Sequence, residues 1–127
     1  MPRIDHSVPP LGEQLRSARQ AASLSLAQTV KLVRRRRPLA CVLWELEKGR
    51  GKLSVLQKVA AALGRSLLLP SIRTLRELRG LTRRELCTLA NVHATTLRKM
   101  ESDPSNALVD RAERVYAALG QPLRLTA

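Results

Sequence analysis

Aromatic side chains are nearly absent: Trp44 and Tyr116 stand alone, and there is no Phe. Without rings to fill a sheet interior, a core must come from Leu, Val and Ala, which suits packed helices better than strands. Cysteine is limited to Cys41 and Cys87. Neither has a Cys or His at metal-ligand spacing, which argues against a metal site and a disulfide framework and for two small buried thiols. No stretch approaches the ~20 apolar residues of a membrane span. Met1-Pro2-Arg3-Ile4-Asp5 leads into no apolar run, so no signal peptide is expected. Catalytic groupings are missing as well. The two His residues have no carboxylate or Cys partner at catalytic spacing, and Gly49-Arg50-Gly51 lacks the strand context and third glycine of a phosphate loop. An enzyme is therefore not expected, nor a cofactor or metal. Acidic residues are scarce, 10 against 23 Lys and Arg, for a net charge of +13. That excess is the electrostatic footprint of a polyanion-binding protein, with nucleic acid the first candidate. The expected location is the cytoplasm, on the nucleoid.

What the chain does have is internal repetition. Leu15-Arg16-Ser17-Ala18-Arg19 followed by Leu24-Ser25 matches Ile72-Arg73-Thr74-Leu75-Arg76 followed by Leu81-Thr82 at an offset of 57 residues. Glu45, Val59, Ala61-Ala62-Leu63-Gly64, Leu67 and Leu69 match Glu101, Val115, Ala117-Ala118-Leu119-Gly120, Leu123 and Leu125 at an offset of 56. The change in offset implies one extra residue in the first copy, between Leu26 and Ala40, a window that holds Arg34-Arg35-Arg36-Arg37. Two copies are too few for a solenoid and point to a tandem or pseudo-dimeric module. The division is a loose arm over 1–10, a first unit over 11–69 and a second over 70–127. Residues 1–69 carry 13 basic and 4 acidic side chains, and residues 70–127 carry 10 and 6. A unit this short is near the lower limit of independent folding, so the copies are expected to bury surface against each other or a second chain.

Apolar periodicity predicts four helices per copy: 11–22, 25–33, 38–47 and 54–63, then 71–79, 82–90, 94–102 and 110–119. Ser25, Ser54 and Asp110 are candidate N-caps, and Thr82-Arg83-Arg84-Glu85 is a capping box. Gly64 and Gly120 are helix stops. The Leu-x-Leu pieces 65–69 and 121–125 are equivalent and predict a two-stranded ribbon, within the chain or across a dimer.

The stretch Gly80-Leu81-Thr82-Arg83-Arg84-Glu85-Leu86-Cys87-Thr88-Leu89-Ala90-Asn91-Val92-His93-Ala94-Thr95-Thr96-Leu97-Arg98-Lys99-Met100-Glu101 resembles the lambda-repressor-like (Xre) helix-turn-helix family. Leu86 and Leu89 match the buried face of its first motif helix, Ala90 the small residue against the partner helix, and Leu97 and Met100 the inner face of the second. Asn91 stands where the family usually has a left-handed Gly, and Asn is the next best residue there. Arg19, Leu24-Ser25 and Trp44-Glu45 give the first copy a weaker likeness. The resemblance implies an all-α fold of two tandem helix-turn-helix units, each followed by a short extended segment. It also implies double-stranded DNA as partner. The second motif helix would lie in the major groove, presenting Ala94, Thr95, Arg98 and Lys99, with His93 at its cap and Arg83 and Arg84 on phosphates.

Under the 56-residue offset, Pro38, Leu39, Ala40, Val42 and Leu43 take the places of Ala94, Thr95, Thr96, Arg98 and Lys99. That helix is apolar nearly all round and has few donors for bases, so Leu39, Val42 and Leu43 are expected to face another protein surface: the second copy, a twin chain or a separate partner. Arg34, Arg35, Arg36 and Arg37 remain suited to phosphates without sequence preference. The leading expectation is a DNA-binding transcriptional regulator, a bacterial repressor acting as a homodimer or an intramolecular pseudo-dimer. The alternatives are an antitoxin whose toxin covers the apolar helix, and an anti-activator that binds an activator protein through it.

Overall fold

The computed structural model describes residues 8–33 and 40–126. The fold is all-α with one very small sheet. Eight α-helices are present among these residues: α1 Leu11–Ala21, α2 Leu26–Val33, α3 Ala40–Glu47, α4 Leu53–Ala62, α5 Ile72–Leu78, α6 Arg83–Ala90, α7 Ala94–Ser102 and α8 Val109–Ala118. A single 3-10 turn, Pro104–Asn106, precedes α8. Two strands follow α4 and α8, β1 Ser66–Leu67 and β2 Leu125–Thr126. Helix order and spacing agree with the periodicity. The caps of α4 and α8 do not: these helices begin one residue before Ser54 and Asp110, at Leu53 and Val109, behind Lys52 and Leu108, which make no side-chain cap bond. Backbone pairing between the halves replaces the side-chain cap, as follows.

The Leu53 N–H donates to the Ala107 carbonyl at 2.8 Å, and the Val109 N–H donates to the Gly51 carbonyl at 2.9 Å. Lys52 and Leu108 face each other as an isolated antiparallel bridge. Farther along, β1 and β2 pair antiparallel with Ser66 opposite Thr126 and Leu67 opposite Leu125. The two bonds at α4 and α8 are each other's image under the 56-residue offset, and the register of the ribbon is symmetric under the same operation. The halves therefore pair through backbone at two places, the Lys52–Leu108 bridge and the ribbon. Orphan helix-start N–H groups, which normally need a capping side chain, are satisfied here by the opposite half.

One continuous core spans both halves. Leu11, Leu15, Leu43, Leu46, Leu53 and Leu56 belong to the same buried cluster as Leu86, Leu97, Met100, Val115, Tyr116 and Leu119. Tyr116 is wholly buried and donates its hydroxyl to the Pro70 carbonyl at 2.7 Å. Burial pushes its phenol pKa up to about 12. The first helix is tied to the last residues: Gln14 donates to the Leu123 carbonyl at 3.0 Å and accepts from the Leu125 N–H at 2.7 Å.

The start of α1 also rests on α8, where the Leu11 N–H donates to Glu113 Oε2 at 3.1 Å. Burial raises the Glu113 pKa above its ordinary 4.5, outweighing that hydrogen bond, with Asp110 and Glu13 adding to the rise. A carboxyl whose pKa is raised on folding stabilises the fold fully below its unfolded value and loses that contribution as pH climbs through the folded value. Stability measured by urea unfolding is therefore expected to fall from pH 4.5 upward in the wild type relative to Glu113→Gln, whose amide oxygen still accepts from Leu11. A pH-independent difference between the two would contradict this.

Candidate nucleic-acid interface

The segment from Thr82 to Glu101 is built so that two helices meet across a three-residue turn. Thr82 opens α6: its hydroxyl accepts from the Glu85 N–H at 3.1 Å, and the Glu85 carboxylate accepts from the Thr82 N–H at 3.1 Å. This is the full capping box expected from the sequence. The helix stops at Asn91, which takes the left-handed conformation with φ 54. The turn is held twice more, by the Val92 N–H on the Cys87 carbonyl at 3.1 Å and by Arg114 of α8 on the Asn91 carbonyl at 3.2 Å. His93 occupies the N-cap position of α7, as expected, but its side chain makes no cap bond.

Helix α7 buries Leu97 and Met100 and turns Ala94, Thr95, Arg98 and Lys99 outward. Its far end is fixed by Glu101, whose carboxylate is 7% exposed and takes Arg76 Nε at 3.0 Å and Arg83 Nε at 2.8 Å. Arg76 donates a further bond to the Leu81 carbonyl at 3.0 Å. Arg83 is thus anchored at the mouth of α6 beside the exposed Arg84. Both acidic residues of the segment, Glu85 and Glu101, are engaged in scaffolding, which leaves the outward face to His93, Thr95, Arg98, Lys99, Arg83 and Arg84. The charge of that face is positive. Arg111 of α8 joins Thr96 and Lys99 around one hollow. The motif-centred sequence reading passed over it because it lies beyond the second motif helix. Cys87 is half-buried and its thiol pKa is raised by burial first and by the Glu101 charge second. The Cys41 side chain lies outside the description.

The first half carries the same device in a different register. Arg19 donates Nε to Glu47 Oε2 at 3.0 Å, Nη2 to Glu47 Oε1 at 3.1 Å and Nη1 to the Leu24 carbonyl at 2.9 Å. Arg19 and Leu24 sit where Arg76 and Leu81 sit, as the sequence offset predicts. The partner carboxylate, however, is Glu47 and not Glu45. Buried Leu43 and Leu46 then take the places of Leu97 and Met100. The single inserted residue of the sequence alignment is a net count: Leu24 to Glu47 spans three residues more than Leu81 to Glu101, and Glu47 to Leu53 spans two fewer than Glu101 to Val109.

This register changes the placement of the expected interface residues. Leu43 is 2% exposed and packs in the core of its own chain, where it is closed to a separate partner. Val42 is half-buried. Leu39 and Arg34, Arg35, Arg36 and Arg37, like residues 1–7 of the expected N-terminal arm, lie outside the described residues. The residues brought to the outward face at the places of Arg98 and Lys99 are Trp44 and Glu45. A structural signal for this was available only from burial, since a 56-residue offset fits the flanking helices equally well.

Among the described residues no helix is long and apolar enough to cross a membrane, and no group of three or more His, Cys, Asp and Glu is placed to hold a metal ion. No curated protein and no solved structure matches the chain. The family model described as helix-turn-helix matches residues 72–125, the span from the start of α5 to the first residue of β2, so the second half of this chain is similar to a family of DNA-binding regulatory domains.

Proposed function

We propose that this protein is a sequence-specific regulator of transcription, a repressor, that binds double-stranded DNA with α7 in the major groove. The observation that carries the reading is the capped α6, left-handed Asn91 and α7 ending on buried Glu101, with Arg98 and Lys99 turned outward over the segment that matches the helix-turn-helix model. Arg98 is suited to take guanine O6 and N7 bidentately, and Thr95 and Ala94 to touch a thymine methyl. Arg83 and Arg84, with the arginines of residues 34–37, supply phosphate contacts that set position and not sequence. Repression is the simplest consequence of such a unit, because occupancy of the duplex alone excludes other proteins.

We further propose that the first half is a divergent copy of the same unit, so that the pair forms an internal pseudo-dimer. Twofold-related reading helices are how small helix-turn-helix proteins reach half-sites about 34 Å apart. Here backbone bonds at Leu53 and Val109 and the ribbon at Leu67 and Leu125 hold the relation within one chain.

The test is a gel shift on the region upstream of the protein's own gene across a salt series. Arg98→Ala is expected to lower specific affinity about tenfold to a hundredfold, the loss of one good base contact worth about 1–3 kcal/mol, while binding to random DNA changes little. Arg35→Ala is expected to weaken all duplexes alike and to flatten the dependence on salt. A specific shift insensitive to salt, or no shift on any duplex at low salt, would overturn the reading.

A further inference from the structure

We propose that the first half is a second reading head with different chemistry, so that one chain occupies a two-part, non-palindromic duplex site. The inference rests on the DNA-binding reading of the second half and deepens it. Three observations carry it. The Leu53–Ala107 and Val109–Gly51 bonds, each other's image under the 56-residue offset, make α3 the counterpart of α7. The matching Arg19–Glu47 and Arg76–Glu101 anchors, with Leu43 and Leu46 buried as Leu97 and Met100 are, set the register between the two helices. That register puts Trp44 and Glu45 on the face where α7 carries Arg98 and Lys99. Trp44 is 46% exposed, a large apolar surface left open to solvent, as Leu68, Leu78 and Leu108 are elsewhere on the molecule.

The chemistry of the two faces is opposed. Arg98 and Lys99 are donors only and select the acceptor edge of guanine. Glu45 is an acceptor only and selects the exocyclic amino group of cytosine, while the Trp44 ring offers apolar contact to a thymine methyl. A carboxylate brought to a polyanion is repelled wherever no base donor meets it, so Glu45 discriminates by penalty as well as by attraction. Two cations keep the face compatible with phosphates. Lys48 Nζ lies 5.1 Å from the centre of the Trp44 ring. Arg50 Nη1 lies 3.3 Å from Glu45 Oε2, in an exposed pair weak enough to exchange for a base. Two identical heads would read a palindrome; these two read unlike halves.

The experiment selects duplexes from a fully randomised pool with the full-length chain, and measures the protein:DNA stoichiometry of the enriched species by native mass spectrometry. The expected result is an enriched two-part sequence without dyad symmetry, bound by one chain. Glu45→Gln is expected to lose about tenfold discrimination in one part of the site and Arg98→Ala in the other part. Trp44→Ala, a change at an exposed position, serves as the second variant of α3, with helical content checked by circular dichroism. A palindromic sequence bound by two chains overturns the proposal. So does a sequence that Glu45→Gln and Trp44→Ala both leave unchanged while Arg98→Ala alters it, and either result leaves the DNA-binding reading intact. Enrichment of no sequence at all overturns both.

Discussion

Glu101→Ala is expected to cost about 3–5 kcal/mol of folding stability, the range found when one partner of a buried ion pair is removed. The carboxylate serves two guanidiniums, and Arg76, itself 13% exposed, would be left buried with a single remaining bond to the Leu81 carbonyl. Against a total stability of roughly 5–15 kcal/mol this is a large fraction. For a chain of this size it corresponds to a fall in melting temperature on the order of 10–20 °C. Arg83, with 54% of its side chain exposed, keeps solvent access and adds little to the loss. Thermal and urea unfolding check the value, and a change below about 1 kcal/mol would contradict the role assigned to the anchor. Glu47→Ala is expected to behave alike, since Arg19 and Glu47 are equally enclosed. The comparison measures how far the two halves share one architecture.

Gly12→Ala is the second large effect, and its sign is the informative part. Gly12 lies in the first turn of α1 with ordinary helical backbone, so helix propensity alone favours alanine by about 1 kcal/mol. Packing opposes it. A Cβ at this position would lie 2.7 Å from the Leu46 carbonyl oxygen and overlap the Glu47 carbonyl oxygen, both backbone atoms that cannot swing aside. The expected net result is a destabilisation of about 1–3 kcal/mol, as overpacking usually gives. The displaced element would be α3, which carries the sole tryptophan, so Trp44 fluorescence reports the shift directly. Unfolding in urea followed by that fluorescence, with stability equal to or above the wild type, would show that α1 and α3 approach less closely than this.

Most of the fold was legible in the sequence because its signals are local. Thr82 with Glu85, Asn91 after Ala90, and Leu97 with Met100 each announce their place by residue type and spacing, and the structure puts them there. The ribbon was legible from the equivalence of two Leu-x-Leu pieces. The helix starts at Leu53 and Val109 were not, because their N–H groups are satisfied by backbone of the opposite half, and Ser54 and Asp110 imitate caps two positions too late. The register of α3 was hidden for a related reason. Glu45 and Glu47 are both glutamates after an apolar run, and a one-dimensional match prefers the smaller gap. Only the buried guanidinium of Arg19 distinguishes them. The outward place of Trp44 and Glu45 follows from that choice and could not be read without it.

The ties from Leu11 to Glu113 and from Gln14 to Leu123 and Leu125 join residues 102 to 111 positions apart. On the ribosome such contacts close late. The first helix leaves the exit tunnel early, yet the groups that receive its start and its Gln14 side chain are made 102 to 111 residues later. Long-range closure of this kind slows folding and leaves the early half exposed in the meantime. A chain whose synthesis stops before α8 would hold α3 beneath α1 but lack Glu113, Leu123 and Leu125, which fix its start and its Gln14 side chain. Until residues 113–125 emerge, the start of α1 and the Gln14 side chain lack the partners that tie them to the second half of the chain.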